Sequence, residues 1–167
     1  MEVQLGKLMQ RCRDIALKGD VARCTEHIEG VTIQERGFRT EGRFGRHLVL
    51  VDEPTSFGGT DSAANPAELL LAALGASLSV TLRCHAALLG IHVGRIRVEL
   101  AGDLDIRGFF DADPAVRSGF AELRLHVQLE SDASAEALAR LMAAAERGCP
   151  VLDACRSATS ISIELIR

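Results

Sequence analysis

The sequence predicts an α+β protein with antiparallel sheets around one long, buried central helix. Three patterns indicate this class: an apolar stretch over 66–89, alternating apolar and polar residues over 96–100 and 122–129, and an apolar stripe at helical spacing over 134–148. Helices and strands do not alternate regularly along the chain, as they would around a parallel sheet.

The composition is that of an ordinary globular protein of one core. The chain has 167 residues, of which 47% are hydrophobic and 25% charged, and its net charge is −4. The negative net charge argues against a basic surface that attracts phosphate, and the chain has no tryptophan or tyrosine for base stacking, so we expect no nucleic acid partner. The N-terminus lacks the pattern of a secretory signal, so we expect a cytoplasmic protein.

The cysteines argue against a metal or disulfide framework. There are five, an odd number, and no CxxC pair occurs among them. The histidines are isolated and show neither HxxxH nor HExxH spacing. We therefore expect no bound metal, no cofactor and free thiols, most of which fill the core.

The N-terminal part is interpreted as a helical extension, residues 1–20, followed by a single domain, residues 21–167. Helical spacing of apolar residues predicts an amphipathic helix over 2–18 that ends at Gly19 and buries Cys12. Short alternating runs over 21–51, beginning with VARCTEHIE, predict two or three strands joined as hairpins.

The central helix has clear signals at both ends. Asn65 suits the N-cap, Pro66 the first helical position and Glu68 the third, where its carboxylate can reach back to the cap; Gly90 is the expected end. At about 1.5 Å per residue the helix spans roughly 36 Å, which indicates that a second subunit shares its burial. Polar ends and interrupting glycine, serine and threonine argue against a membrane span.

Two later features allow alternative interpretations, and a third predicts a strand. Phe109 and Phe110, in a stretch that reads as a loop, either pack beneath that loop or line a ligand pocket. The alternating sequence SISIELIR predicts a last strand. Cys149 either completes the apolar stripe of the helix before it, or lies with Pro150 at the start of a short helix, where the thiolate form is favoured.

Ser77 lies in GASLS, close to the GxSxG motif of hydrolases. That motif requires a sharp turn between a strand and a helix, whereas Ser77 lies within the long helix, so a serine hydrolase is not expected. The plainer interpretation is a small residue whose hydroxyl bonds a carbonyl one turn earlier.

Several motifs resemble those of one family. DEPTSFGG, PAELLLAALGAS and the late CPV, within a match over roughly residues 31–167, resemble the OsmC and Ohr family of osmotically inducible and organic hydroperoxide resistance proteins. The resemblance implies an intertwined α+β homodimer with the long helix at its centre.

The resemblance also implies a two-cysteine site, from which this chain departs. A peroxidatic cysteine on the central helix corresponds to Ser77, and the resolving cysteine of the CPV motif to Cys149. A serine cannot pass through a sulfenic acid, so peroxide reduction at that position is closed. The family's supporting glutamate corresponds to Ala67, and Glu68 faces about 100° away on the helix.

Cys84 is the remaining candidate thiol on the central helix. It shares a face with Ser77 but lies about 10.5 Å further along the axis, so it is expected to miss a Cys149 that faces Ser77. A relocated pair of Cys84 and Cys155 is the other option.

Two functions follow. The first is a stress-response protein that reduces organic hydroperoxides weakly or not at all, with Cys149 or Cys84 as the thiol and a dithiol, or another external thiol, as reductant. The second is a non-catalytic homodimer that binds a small hydrophobic molecule in the family pocket.

Overall fold

The structure, a computed structural model, describes residues 2–19 and 21–166. Its helices are α1 (Glu2–Leu17), α2 (Val21–Cys24), α3 (Pro66–Leu89), α4 (Ile106–Phe109), α5 (Ala135–Gly148) and α6 (Pro150–Arg156). Its strands are β1 (Val31–Gln34), β2 (Thr40–Phe44), β3 (His47–Val51), β4 (Ile96–Asp103) and β5 (Glu122–Leu129). The α+β class and the long central helix are confirmed.

One compact unit, Lys7–Ala73, contains a three-stranded antiparallel sheet in the order β1-β2-β3. Gly42 pairs with Thr32 on one side and with Val49 on the other. The predicted hairpins are therefore confirmed, but VARCTEHIE is not the first strand. It begins as the short helix α2, and β1 starts only at Val31.

The loop after β3 is organised by a buried carboxylate, that of Asp52. Its Oδ2 atom accepts hydrogen bonds from the hydroxyls of Thr60 at 2.5 Å and Ser62 at 2.9 Å and from both of their backbone N–H groups, while Oδ1 accepts from the N–H of Glu53. These donors, the Thr60 hydroxyl first, hold the pKa of Asp52 far below its usual value. The carboxylate thus fixes the fold of a glycine-rich loop in its charged form.

The second unit, Met1–Gly6 with Leu74–Arg167, contains the antiparallel pair β4-β5 and the main apolar core. Along β4, half-buried residues alternate with exposed ones, as the sequence predicts. At Gly75, a Cβ would lie 2.8 Å from Cδ1 of Leu100, so the absence of a side chain lets α3 approach β4 closely. The buried core residues are Leu74, Leu78, Leu82, Ala86, Val93, Leu141, Ala145, Cys149 and Leu152.

Helix α3 has the predicted bounds because its ends are capped. The Asn65 side chain accepts from the N–H of Glu68 and the Glu68 carboxylate accepts from the N–H of Asn65, both at 2.9 Å. Gly90 follows the last turn with φ of 66°, in the left-handed region. Among the described helices, α3 alone is long and apolar enough to cross a membrane, a test that core helices also pass.

Several burial and strand predictions are wrong for this chain. Cys12 is exposed on α1. Phe109 and Phe110 stack edge to face on each other at 5.0 Å and are each about 60% exposed, so they do not pack beneath the loop. Residues 158–166 form no strand here, and Ile163 is 94% exposed. An alternating sequence needs a neighbouring strand to become a sheet, and none of the described strands pairs with it.

Candidate functional site: the Ser77 and Cys149 pair

Two side chains far apart in sequence meet beside the core of the second unit. The Oγ atom of Ser77, on α3, lies 3.3 Å from the Sγ atom of Cys149, and either atom can donate the hydrogen bond. Cys149 is 1% exposed, and Ser77 is half-buried. The structure therefore joins two of the three residues that the sequence singled out.

Local backbone geometry explains where Cys149 lies. Helix α5 ends at Gly148, Cys149 adopts an extended conformation with φ of −85° and ψ of 109°, and Pro150 begins α6. Pro150 suits the first position because its missing N–H would have no helical partner there. The two interpretations of Cys149 are thus compatible, because the residue is part of the core and also precedes a helix.

The serine and threonine hydroxyls of α3 have different partners. Ser79 donates to the carbonyl oxygen of Gly75, and Thr81 to that of Ser77, both at 2.8 Å. Ser79 and Thr81 thus bond one turn back, the arrangement that the sequence had suggested for Ser77 alone. For Ser77 it does not describe the observed contact, which is with the thiol.

Cys84 is half-buried and, like the other four cysteines, is a free thiol. Seven residues separate it from Ser77, which amounts to about 10.5 Å along α3. Because Cys149 contacts Ser77, we still expect Cys84 to lie too far along α3 to form a disulfide with Cys149. Pairing of Cys84 with the exposed Cys155 remains a prediction.

Sequence reasoning did not identify His85 as a neighbour of this site. Its Nε2 atom lies 2.7 Å from where a Cβ would stand on Gly148, the residue before Cys149. Ser77, Thr81 and His85 follow one another at four-residue steps and share a face of α3. That spacing places His85 about two turns beyond Ser77, but it does not show that the imidazole meets Gly148.

The chemistry open to this pair is that of a single thiol beside a hydroxyl. A deprotonated Cys149 would accept a hydrogen bond from Ser77, and a sulfur nucleophile can be alkylated or oxidised. Cys149 cannot form a disulfide with residue 77, because that residue is a serine and has no sulfur. Among residues 2–19 and 21–166, no group of three or more histidine, cysteine or acidic side chains is placed to hold a metal ion.

The fold is similar to several solved structures. An OsmC-like protein from Mycoplasma pneumoniae aligns with a TM-score of 0.69 at 14% identity, over 78% of this chain and 88% of its own. An organic hydroperoxide resistance protein OsmC from Legionella pneumophila aligns with a TM-score of 0.59 at 24% identity, over 78% and 90%. A third, an organic hydroperoxide resistance protein from Elizabethkingia anophelis, has a TM-score of 0.58 at 21% identity, over 79% and 89%.

Sequence comparison identifies the family independently of the fold. No protein with a curated description matches the chain. The sequence profile of the OsmC-like protein family matches residues 59–164, which include the central helix, both strands of the second unit and Cys149. With the fold and this match in agreement, the chain belongs to the OsmC-like protein family.

Proposed function

We propose that this protein is a stress-response thiol protein that reduces organic hydroperoxides slowly, with Cys149 as its only reacting thiol. The observation that carries the proposal is the 3.3 Å contact between Ser77 Oγ and Cys149 Sγ. It puts a hydroxyl beside the CPV cysteine, at the position where the family resemblance expects a second thiol. Solved structures of similar fold include organic hydroperoxide resistance proteins, which supports this class of substrate.

The reaction proceeds through one sulfur. The Cys149 thiolate attacks one oxygen of the hydroperoxide, the O–O bond breaks as the S–O bond forms, and the other oxygen takes a proton and leaves as an alcohol. An external thiol then attacks the sulfenic acid, releasing water and leaving a mixed disulfide. A second external thiol reduces that disulfide and restores Cys149.

Two features of the site account for the expected slowness. Ser77 cannot attack the sulfenic acid as a second cysteine would, so each turnover waits for collision with an external thiol. Ala67 has no carboxylate at the position of the family's supporting glutamate. Ser77 contributes only a hydroxyl that contacts the sulfur and does not react.

Consumption of cumene hydroperoxide with dithiothreitol as reductant tests the proposal. We expect slow, protein-dependent consumption that Cys149→Ser abolishes and Cys84→Ser leaves unchanged. The Cys84 variant is the matched control, because it removes a half-buried thiol from α3, the helix that carries Ser77. Activity that survives Cys149→Ser but is lost in Cys84→Ser would assign the chemistry to the other thiol and contradict the proposal.

We propose further that the working form is a cytoplasmic homodimer, since a reducing compartment keeps Cys149 available. Large apolar side chains are exposed on the sheet of the first unit, on α3 and along 158–166; they include Val31, Ile33, Leu48, Leu50, Val80, Ile161, Ile163 and Leu165. So much exposed apolar surface is typical of an interface. A second copy would cover it and pair the last segment as a strand.

Sedimentation velocity measures the oligomeric state directly. The wild-type chain should sediment as a dimer, and Ile163→Asp should shift it toward monomer. Ser162→Asp is the control, because adjacent residues of an extended strand face opposite sides. A monomeric wild-type chain at micromolar concentration would contradict the proposed assembly.

The second candidate is a non-catalytic protein that binds a small hydrophobic molecule in the family pocket. The burial of Cys149, 1% exposed, favours it, because a thiol without access reacts poorly. The same assay separates the two functions, since this candidate predicts no consumption of hydroperoxide above that of the Cys149→Ser variant.

A further inference from the structure

A cavity of about 250 Å³ lies between the first turn of α1 and the C-terminal end of α3. Its residues all belong to the second unit and include neither Ser77 nor Cys149. The described residues that line it lie within 3–6 on one side, among them Leu5, and within 83–93 on the other, among them Arg83 and Ala87. The cavity is therefore separate from the proposed thiol site.

The N-terminal helix supplies one wall of this cavity. A Cβ on Gly6 would lie 3.4 Å from the carbonyl oxygen of Ala87, so the first turn of α1 packs closely against α3. Residues 3–6 lie outside the segment 59–164 that matches the family, whereas the opposite wall lies inside it. The cavity is thus formed by adding the extension to the family core.

The walls favour an apolar guest. Most of the lining side chains are those of alanine, valine, leucine and isoleucine. A water molecule occupies about 30 Å³ in the liquid, so the cavity has room for several, but an apolar wall gives them few hydrogen bonds. Mostly apolar concave sites with a few fixed polar groups are typical binding sites for small molecules.

Arg83 is the fixed polar group. Its guanidinium donates to the carbonyl oxygen of Val93 and, at 2.6 Å, to that of Gly94. Both partners are neutral, so these bonds position the charge without cancelling it, and three of its five N–H donors remain. No acidic side chain is among the described residues that line the cavity.

The charge balance decides which polar group the ligand carries. The C-terminal end of α3 contributes a partial negative charge of about half a unit, which is smaller than the full positive charge of Arg83. Among the described residues that line the cavity, the balance between Arg83 and the helix end is positive, which favours an anion over a cation. We propose that the cavity binds a small amphipathic carboxylate of roughly ten non-hydrogen atoms, with its hydrocarbon part between α1 and α3 and its carboxylate at Arg83.

Isothermal titration of the full-length protein with octanoate tests this site. We expect a dissociation constant on the order of 1 mM or tighter, and at least tenfold weaker binding by Ala87→Phe, which fills the cavity. Ala139→Phe, at an exposed position of α5, is the matched control and should bind as the wild type does. Leu5→Phe fills the cavity from the opposite wall, so the test holds even where the Ala87 variant fails to fold.

Octylamine has the same chain with the opposite charge, and we expect at least tenfold weaker binding than that of octanoate. Absence of octanoate binding at millimolar concentration would overturn the proposal. So would equal binding by the wild type and the filled variants, or equal binding of the two amphiphiles. Cys149→Ser should bind octanoate normally, because the cavity does not include the thiol.

Discussion

Replacing Ser77 by cysteine should create an internal disulfide with Cys149. The two side chains already lie 3.3 Å apart, and a C–S bond is longer than a C–O bond, so the new sulfur approaches Cys149 without a change of rotamer. Hydroperoxide should oxidise one of the two thiols, and the other should displace water from the sulfenic acid.

The expected stabilisation follows from the size of the closed loop. The linked positions are 72 residues apart, and closing a loop of that length in the unfolded chain corresponds to about 4 kcal/mol at 25 °C. For a chain of this size, that raises Tm by roughly 10 °C. The oxidised variant should also unfold at higher urea concentration than its reduced form.

The assay is thermal unfolding before and after one equivalent of cumene hydroperoxide, with peptide mapping of the disulfide. Ser79→Cys is the matched control, because Ser79 bonds the carbonyl of Gly75 rather than Cys149. The Ser77→Cys variant should also consume hydroperoxide faster with dithiothreitol, and Ala67→Glu should add to that gain. If mapping finds no disulfide between residues 77 and 149 and Tm does not change, the two side chains are not in contact as the structure has them.

Three further predictions concern the fold. Asn65→Ala should lower the free energy of unfolding by about 1 kcal/mol in urea, because it removes one half of the reciprocal cap; an unchanged midpoint would show that the cap is not needed. Leu82→Ala, at a fully buried position, should cost 2–5 kcal/mol, roughly, in the same measurement, and a cost below 1 kcal/mol would contradict its place in the core. Asp52, whose pKa is lowered in the fold, should contribute stability that is present above pH 4, roughly, and lost as pH falls further. Tm measured from pH 5 to pH 2 should therefore fall less steeply in Asp52→Asn than in the wild type, and parallel curves would refute the role of this carboxylate.

The sequence predicted best where the signals are local. Helix α3 has the expected bounds because Asn65, Glu68 and Gly90 act within one turn of its ends. Strands β4 and β5 form where apolar and polar residues alternate, since one face of that pair packs on the core. These features depend on residues that are close together in the sequence, so the sequence alone is enough to predict them.

Predictions of burial failed where the structure leaves the apolar face exposed. The apolar face of α1 was expected to bury Cys12, and the alternation at 161–165 was expected to form a strand. Apolar periodicity shows which face is to be covered but not by what. The strand predicted at VARCTEHIE is wrong for another reason: its first four residues form a helical turn, and so short a run does not distinguish a turn from a strand.

The site was predictable only through resemblance. Local spacing left Cys149 between a core residue and a helix start, and nothing local pairs it with Ser77, which lies 72 residues earlier. The family motifs identified both positions, and the structure places their side chains in contact. The position of His85 against Gly148 depends on how α3 meets the end of α5, which no local pattern contains.

The uncovered segment 158–166 has a consequence for the life of the newly made chain. Ile161, Ile163 and Leu165 alternate with polar residues, Glu164 is the one charged residue of the segment, and no described strand pairs with it. Such a stretch is a template for any other exposed strand, including those of unfinished or damaged proteins. Pairing of this segment with the proposed second copy would therefore compete with aggregation, and we expect strong overproduction to yield insoluble protein.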